Sequence, residues 1–129
     1  MMNILIADDD RIQTLMLSTR HKAKGFRVAV ASDAIQAWMS AIRSPPDIII
    51  LDIQMPGGTG IAVLKHLKMS SMTRHIPVIV LTGTMDPGEA PGLKELGVTK
   101  ILYKPVDLEQ LDLALSQFVE NPLDSSSAR

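Results

Sequence analysis

The sequence predicts an α/β protein: five parallel strands alternating with five helices, (βα)5, doubly wound into a three-layer sandwich. Three observations carry that prediction. Short apolar runs alternate with segments of helical period along almost the whole chain. Several runs are apolar at successive positions, as in strands covered on both faces by helices. Four runs also end on a polar residue: Ile4–Ala7 at Asp8 and Asp9, Ile48–Leu51 at Asp52, Val78–Leu81 at Thr82, and Ile101–Tyr103 at Lys104. Parallel strands gather such residues at one edge, outside their carboxyl ends, where ligands of open α/β sheets bind.

The elements follow in order. Residues 3–7 read as a central strand. Asp10 and Gln13 have capping-box spacing and open a helix with Ile12, Leu15, Met16 and Thr19 at helical intervals. Gly25 stops it near Lys24. Residues 27–31 suit a second strand. Ser32 or Asp33 caps a second helix, with Ile35, Trp38, Met39 and Ile42 on one stripe, and Pro45-Pro46 ends it. Residues 47–51 form the most hydrophobic strand, followed by a loop of turn formers from Gln54 to Gly60. Thr59 is the candidate cap of a third helix reaching about Met69, with Ile61, Leu64 and Leu67 inward. Pro77 opens the fourth strand. Pro87, Gly88, Pro91 and Gly92 weaken the fourth helix, whose firmest part is expected at Ala90–Leu96 before Gly97. Residues 100–103 are the fifth strand. The last helix begins at Val106 or Asp107, packs Leu108, Leu111, Leu115, Phe118 and Val119, and ends at Asn121-Pro122. Residues 1–121 thus form one domain, and 122–129 a polar tail expected to be flexible.

Composition narrows the function. The chain has 129 residues, 46% hydrophobic and 21% charged, enough for one domain with a real core. A net charge of −1 gives no electrostatic footprint for nucleic acid, and 3% aromatics are too few for a base-stacking platform. Without cysteine, disulfides and thiolate metal sites are excluded. No run approaches the roughly 18 apolar residues of a membrane span, and the start lacks the pattern of a signal peptide, so a cytoplasmic protein is expected. The eight methionines read as core filler. His21, His66 and His75 read as surface or boundary residues without metal-ligand spacing.

At the predicted edge, each residue has a functional and a plain reading. Asp8 and Asp9 either hold a divalent cation, which relieves their repulsion, or cap the first helix, a task for which Asp10 is better placed. Asp52 is either a carboxylate nucleophile forming an acyl phosphate or a turn-capping residue. Gln54 offers a backbone carbonyl to the same cation, or only a solvated side chain. Thr82 donates its hydroxyl to a phosphate oxygen, or is simply a β-branched strand residue. Lys104 pairs with Asp52 until a phosphate arrives, or is an exposed lysine.

Taken with their intervals, the motifs Ile4-Leu5-Ile6-Ala7-Asp8-Asp9-Asp10, Ile50-Leu51-Asp52-Ile53-Gln54-Met55-Pro56-Gly57-Gly58-Thr59-Gly60, Val80-Leu81-Thr82-Gly83 and Tyr103-Lys104-Pro105 resemble the receiver domain of two-component response regulators, the CheY-like superfamily. The resemblance runs from about Asn3 to Val119. It implies a flavodoxin-like strand order 2-1-3-4-5 and a cis Lys104–Pro105 bond. It implies phosphorylation of Asp52 by a sensor histidine kinase or phosphotransfer protein. Mg²⁺ would be held by Asp8, Asp9, Asp52 and the carbonyl of Gln54. Thr82 and Lys104 would contact the phosphate, with Gly83 in the switch segment behind Thr82. The face of the fourth helix, fifth strand and fifth helix would signal to an effector protein, a fused output domain or a second copy. Such a chain is a regulatory phosphoacceptor rather than an enzyme.

Two departures stand out. Ile101 occupies the position three before the lysine where the family carries Phe or Tyr, and Gly83 replaces the usual Ala. Gly83 together with the Pro and Gly residues up to Gly92 predicts an unusually mobile fourth-helix region, whose ordering would carry the signal. Gln54 and Thr84 occupy positions that tune phosphoryl lifetime in the family. Two other readings compete: a Mg²⁺-dependent haloacid-dehalogenase-type phosphohydrolase using Asp8 and Asp10, and a receiver-like binding module that is not phosphorylated.

Overall fold

The computed structural model describes residues 2–55, 60–83 and 90–120. Its elements are β1 (Asn3–Ala7), α1 (Arg11–Ala23), β2 (Arg27–Ala31), α2 (Ala34–Arg43), β3 (Ile48–Asp52), α3 (Gly60–Met69), β4 (Val78–Thr82), α4 (Ala90–Glu95), β5 (Lys100–Tyr103) and α5 (Leu108–Glu120). All strand pairs are parallel, in the order β2-β1-β3-β4-β5. The expected cap Thr59, the lifetime position Thr84, the Pro87-Gly88 break and the tail 122–129 lie outside the described residues.

The period of two along each strand builds two cores at once. Ile4, Ile6, Ile48, Ile50, Ile79 and Leu81 face Leu17 of α1 and Leu111, Ala114 and Leu115 of α5. Leu5, Ala7, Ile49, Leu51, Val78 and Val80 face the alanines of α2, Val63, Leu64 and Leu67 of α3, and Leu93 of α4. Each fully buried Ile or Leu contributes roughly 1.5–3 kcal/mol, so β1, β3 and β4, buried on both faces, supply most of the driving force.

Two helices seat themselves differently from their apolar spacing. In α1, Ile12, Leu15 and Met16 are exposed, at 81%, 69% and 44%. The buried face is Thr14, Leu17, Ser18 and His21. These polar groups are tolerated because some bond to the helix's own carbonyls: Thr14 Oγ1 donates to Arg11 O at 3.1 Å, and His21 Nδ1 lies 2.6 Å from Leu17 O. His21 is therefore a core residue, not a surface one; burial lowers its pKa, and its ring meets Phe26 edge-on. In α2 the sheet side is Ala34, Ala37 and Ala41, flanked by half-buried Trp38, while Ile35 and Met39 point outward. Small residues let that helix lie close to the sheet, which its larger apolar residues would prevent. Nor are the methionines core filler as a class: Met55 is buried, but Met16, Met39, Met69 and Met72 are exposed.

Caps fix the ends. Asp10 Oδ1 accepts from the N–H groups of Ile12 and Gln13, Asp33 Oδ1 from Gln36 N–H, and Asp107 Oδ1 from those of Glu109 and Gln110. Gly25 and Gly97, at φ 96° and 80°, follow α1 and α4 in the left-handed region that glycine enters without strain. Arg20 of α1 and Lys24, the cap that follows it, both reach Asp112 of α5, with Nη2 at 2.5 Å and Nζ at 2.6 Å, and these bonds hold Asp112 down at about 2.

Two outcomes are expected. A Cβ on Gly60 would sit 2.6 Å from both the Asp52 carbonyl oxygen and Ile53 Cα. Gly60→Ala should therefore cost about 1–3 kcal/mol through overpacking, read as a lowered urea midpoint. Because the folded pKa of Asp112 is depressed, its contribution is present above its ordinary value of 3.8 and is lost as pH falls toward about 2. Asp112→Asn should abolish that acid-induced loss in a series of urea titrations from pH 5 to pH 2, values spanning the acid-titration range.

Candidate functional site

Register alone brings the site together. Ala7 pairs with Leu51, so the next residues of β1 and β3, Asp8 and Asp52, emerge side by side. Asp52 pairs with Leu81, which puts Thr82 one step further along β4. Thr82 pairs with Tyr103, so Lys104 follows on β5 and its N–H donates to Thr82 O at 2.7 Å. Four residues distant in sequence thus arrive at one edge because their strands end in step.

Asp8 and Asp52 are only 1% and 3% exposed. Each ties Oδ1 to the backbone N–H two residues on: Asp8 to Asp10, and Asp52 to Gln54, both at 2.9 Å. Each turns Oδ2 to Lys104 Nζ, at 3.2 Å in both cases. Asp9 is exposed, yet one oxygen each of Asp8, Asp9 and Asp52 lie within 4.8 Å of one another. Burial pushes the Asp52 carboxyl up and the nearby Asp8 charge adds to this, against the Gln54 N–H and Lys104. Burial lowers Lys104, but the two carboxylates outweigh it and its pKa is raised.

The remaining expected residues are also located. Gln54 is exposed in the loop after β3. Thr82 is fully buried at the end of β4, and Gly83 follows it, where a Cβ would stand 4.0 Å from the Gln54 side-chain oxygen. The Lys104–Pro105 bond is cis. Ile101 is half-buried and packs against the cluster that includes Leu93 of α4, while Tyr103 is 57% exposed. Asp10, the second acid of the hydrolase reading, is occupied in capping α1.

One side chain at the site was not expected there. Gln13 Nε2 donates to Asp8 Oδ2 at 2.9 Å. The Asp10–Gln13 spacing suggested a reciprocal capping box. Asp10 does cap Gln13 N–H, but the Asp10 N–H goes to Asp8, and the Gln13 amide goes with it. Lys104 likewise serves both buried acids, not Asp52 alone.

The arrangement can neutralise, hold and accept charge: a buried carboxylate at the end of the central strand, two further acids, a shared ammonium and a hydroxyl-bearing strand end. Comparison with known proteins agrees. Residues 4–116 match the family model of the response regulator receiver domain. The chain is 30% identical to sporulation initiation phosphotransferase F of Bacillus subtilis over 98% of its own length and 100% of that protein's. It is 38% identical to response regulator PleD of Caulobacter vibrioides over 81% of its length, and 35% identical to the phosphate regulon regulator PhoB of Escherichia coli over 84%. It spans only 23% of PleD and 47% of PhoB. Among solved structures, the chemotaxis response regulator CheY4 of Vibrio cholerae superposes with a TM-score of 0.84 at 30% identity, covering 92% of this chain and 98% of that one. The receiver domain of sensor histidine kinase PA1611 of Pseudomonas aeruginosa, which holds a magnesium ion in its active-site cleft, gives 0.82 at 25% identity, covering 92% and 97%. With strand order, edge residues and relatives in agreement, the chain belongs to the response regulator receiver domain family of two-component systems.

Proposed function

We propose that Asp52 is the phosphoacceptor, taking its phosphoryl group from a phosphohistidine of a sensor histidine kinase or phosphotransfer protein. Asp8, Asp9, Asp52 and the backbone carbonyl of Gln54 would hold Mg²⁺. The supporting observation is three carboxylates within 4.8 Å of one another with one ammonium against them. That leaves two negative charges, the charge of a divalent cation, and the all-oxygen donor set suits Mg²⁺. Bound there, Mg²⁺ supplies charge neutralisation for the phosphoryl oxygens.

The chain's own groups do the rest. The Gln54 N–H and Lys104 oppose the effect of burial on Asp52 and favour its ionised form. Its carboxylate attacks phosphorus, and the new O–P bond forms as the P–N bond to the donor imidazole breaks, the electron pair staying on that nitrogen. Lys104 then turns from the acids to the phosphate, and the Thr82 hydroxyl donates to a phosphate oxygen, drawing Gly83 after it. The modification adds about −1.5 to −2 of charge. The face of α4, β5 and α5 reads out that change to an effector, a fused output domain or a second copy. Ile101 has no hydroxyl to exchange partners, so coupling to α4 rests on its packing in the cluster shared with Leu93.

Acetyl phosphate with Mg²⁺ should add the mass of one phosphoryl group to the wild type and none to Asp52→Asn, read by mass spectrometry; labelling of Asp8 instead would revive the hydrolase. Asp52→Asn should also melt higher than wild type in chelator at pH 7. The folded pKa of Asp52 is raised above 3.8, so its stabilising contribution belongs to acid pH and is lost as pH rises. The difference in melting temperature should therefore vanish near pH 3.8 and open above it.

A further inference from the structure

We infer that Gln13 is a positioning residue of the cation site, its side-chain amide aiming the Asp8 carboxylate at the ion. The inference rests on the reading of Asp8, Asp9 and Asp52 as Mg²⁺ ligands. The two buried acids are held alike, each with Oδ1 on a backbone N–H at 2.9 Å and Oδ2 on Lys104 at 3.2 Å. Among the described residues, the bond from Gln13 Nε2 to Asp8 Oδ2, at 2.9 Å, is a side-chain amide contact made to Asp8 and not to Asp52. An ionised carboxylate only accepts, so the amide nitrogen is the atom that must face it.

That bond closes a ring of contacts. Asp10 N–H donates to Asp8 Oδ1, Gln13 N–H donates to Asp10 Oδ1 at 3.1 Å, and the Gln13 side chain returns to Asp8 Oδ2. The amide is thereby delivered by a capped helix end rather than by a loop. When Lys104 turns to a phosphate, Asp8 Oδ2 loses that donor, and Gln13 keeps the carboxylate from rotating. Groups that hold a ligating carboxylate in this way are typically worth about 10–100-fold in metal affinity. The effect should be specific to a small ion: Mg²⁺ demands near-ideal octahedral geometry, whereas Ca²⁺ accepts flexible coordination.

Calorimetric titration of Mg²⁺ and Ca²⁺ into wild type, Gln13→Ala and Gln13→Met tests this. Methionine keeps the length and helix propensity and removes the amide with its donor. Both variants should lose about tenfold in Mg²⁺ affinity and clearly less for Ca²⁺. Unchanged or tighter Mg²⁺ binding in the variants, beside a wild type that binds, overturns the inference and spares the site. An equal loss for both ions also overturns it, since aiming is then not what the amide provides. A wild type that binds no Mg²⁺ removes the site and the inference together.

Discussion

A single ammonium shared by two buried carboxylates is the constraint around which the molecule is arranged. Asp8 and Asp52 are almost wholly removed from water, and each faces Lys104 at 3.2 Å. Leaving a buried charge without its partner costs roughly 3–5 kcal/mol, more than losing the burial of one Ile side chain, worth roughly 1.5–3 kcal/mol. The site is therefore an energetic feature of the fold as well as a chemical one. It also keeps a negative excess, which folding alone does not discharge.

Everything that delivers Lys104 to the acids is backbone. β1 and β3 pair Ala7 with Leu51, β3 and β4 pair Asp52 with Leu81, and β4 and β5 pair Thr82 with Tyr103. A slip of one residue would invert the faces of a strand, and in β3 it would expose the two cores to Asp52. Because Ile48, Ile50, Ile49 and Leu51 are fully divided between those cores, the hydrophobic effect itself enforces the register that the chemistry needs.

The sheet and most of the site were legible because both depend on local signals. All-apolar runs reveal strands, and a polar residue closing each run reveals the edge. The Asp10 and Asp33 caps and the stops at Gly25 and Gly97 follow the same logic. What failed was the assignment of faces. Ile12, Leu15 and Met16 repeat at helical spacing, yet it is Thr14, Leu17, Ser18 and His21 that turn inward, and periodicity cannot weigh a polar group that bonds to its own helix. In α2 the alanines carried too little hydrophobic signal to compete with Ile35 and Met39. Gln13 was legible only as a cap, since its route to Asp8 requires knowing where Asp8 points.

The inside-out seating of α1 has a mechanical consequence. A helix that gains little from its own middle depends on its two fastenings: Asp10 and Gln13 at the end beside Asp8, and Arg20 and Lys24 on Asp112 at the other. It behaves like a bar bolted at both tips, with Leu17 as its apolar anchor between them. Added salt, which leaves the sheet's apolar interior intact, loosens this one element first at its solvent-facing bolt.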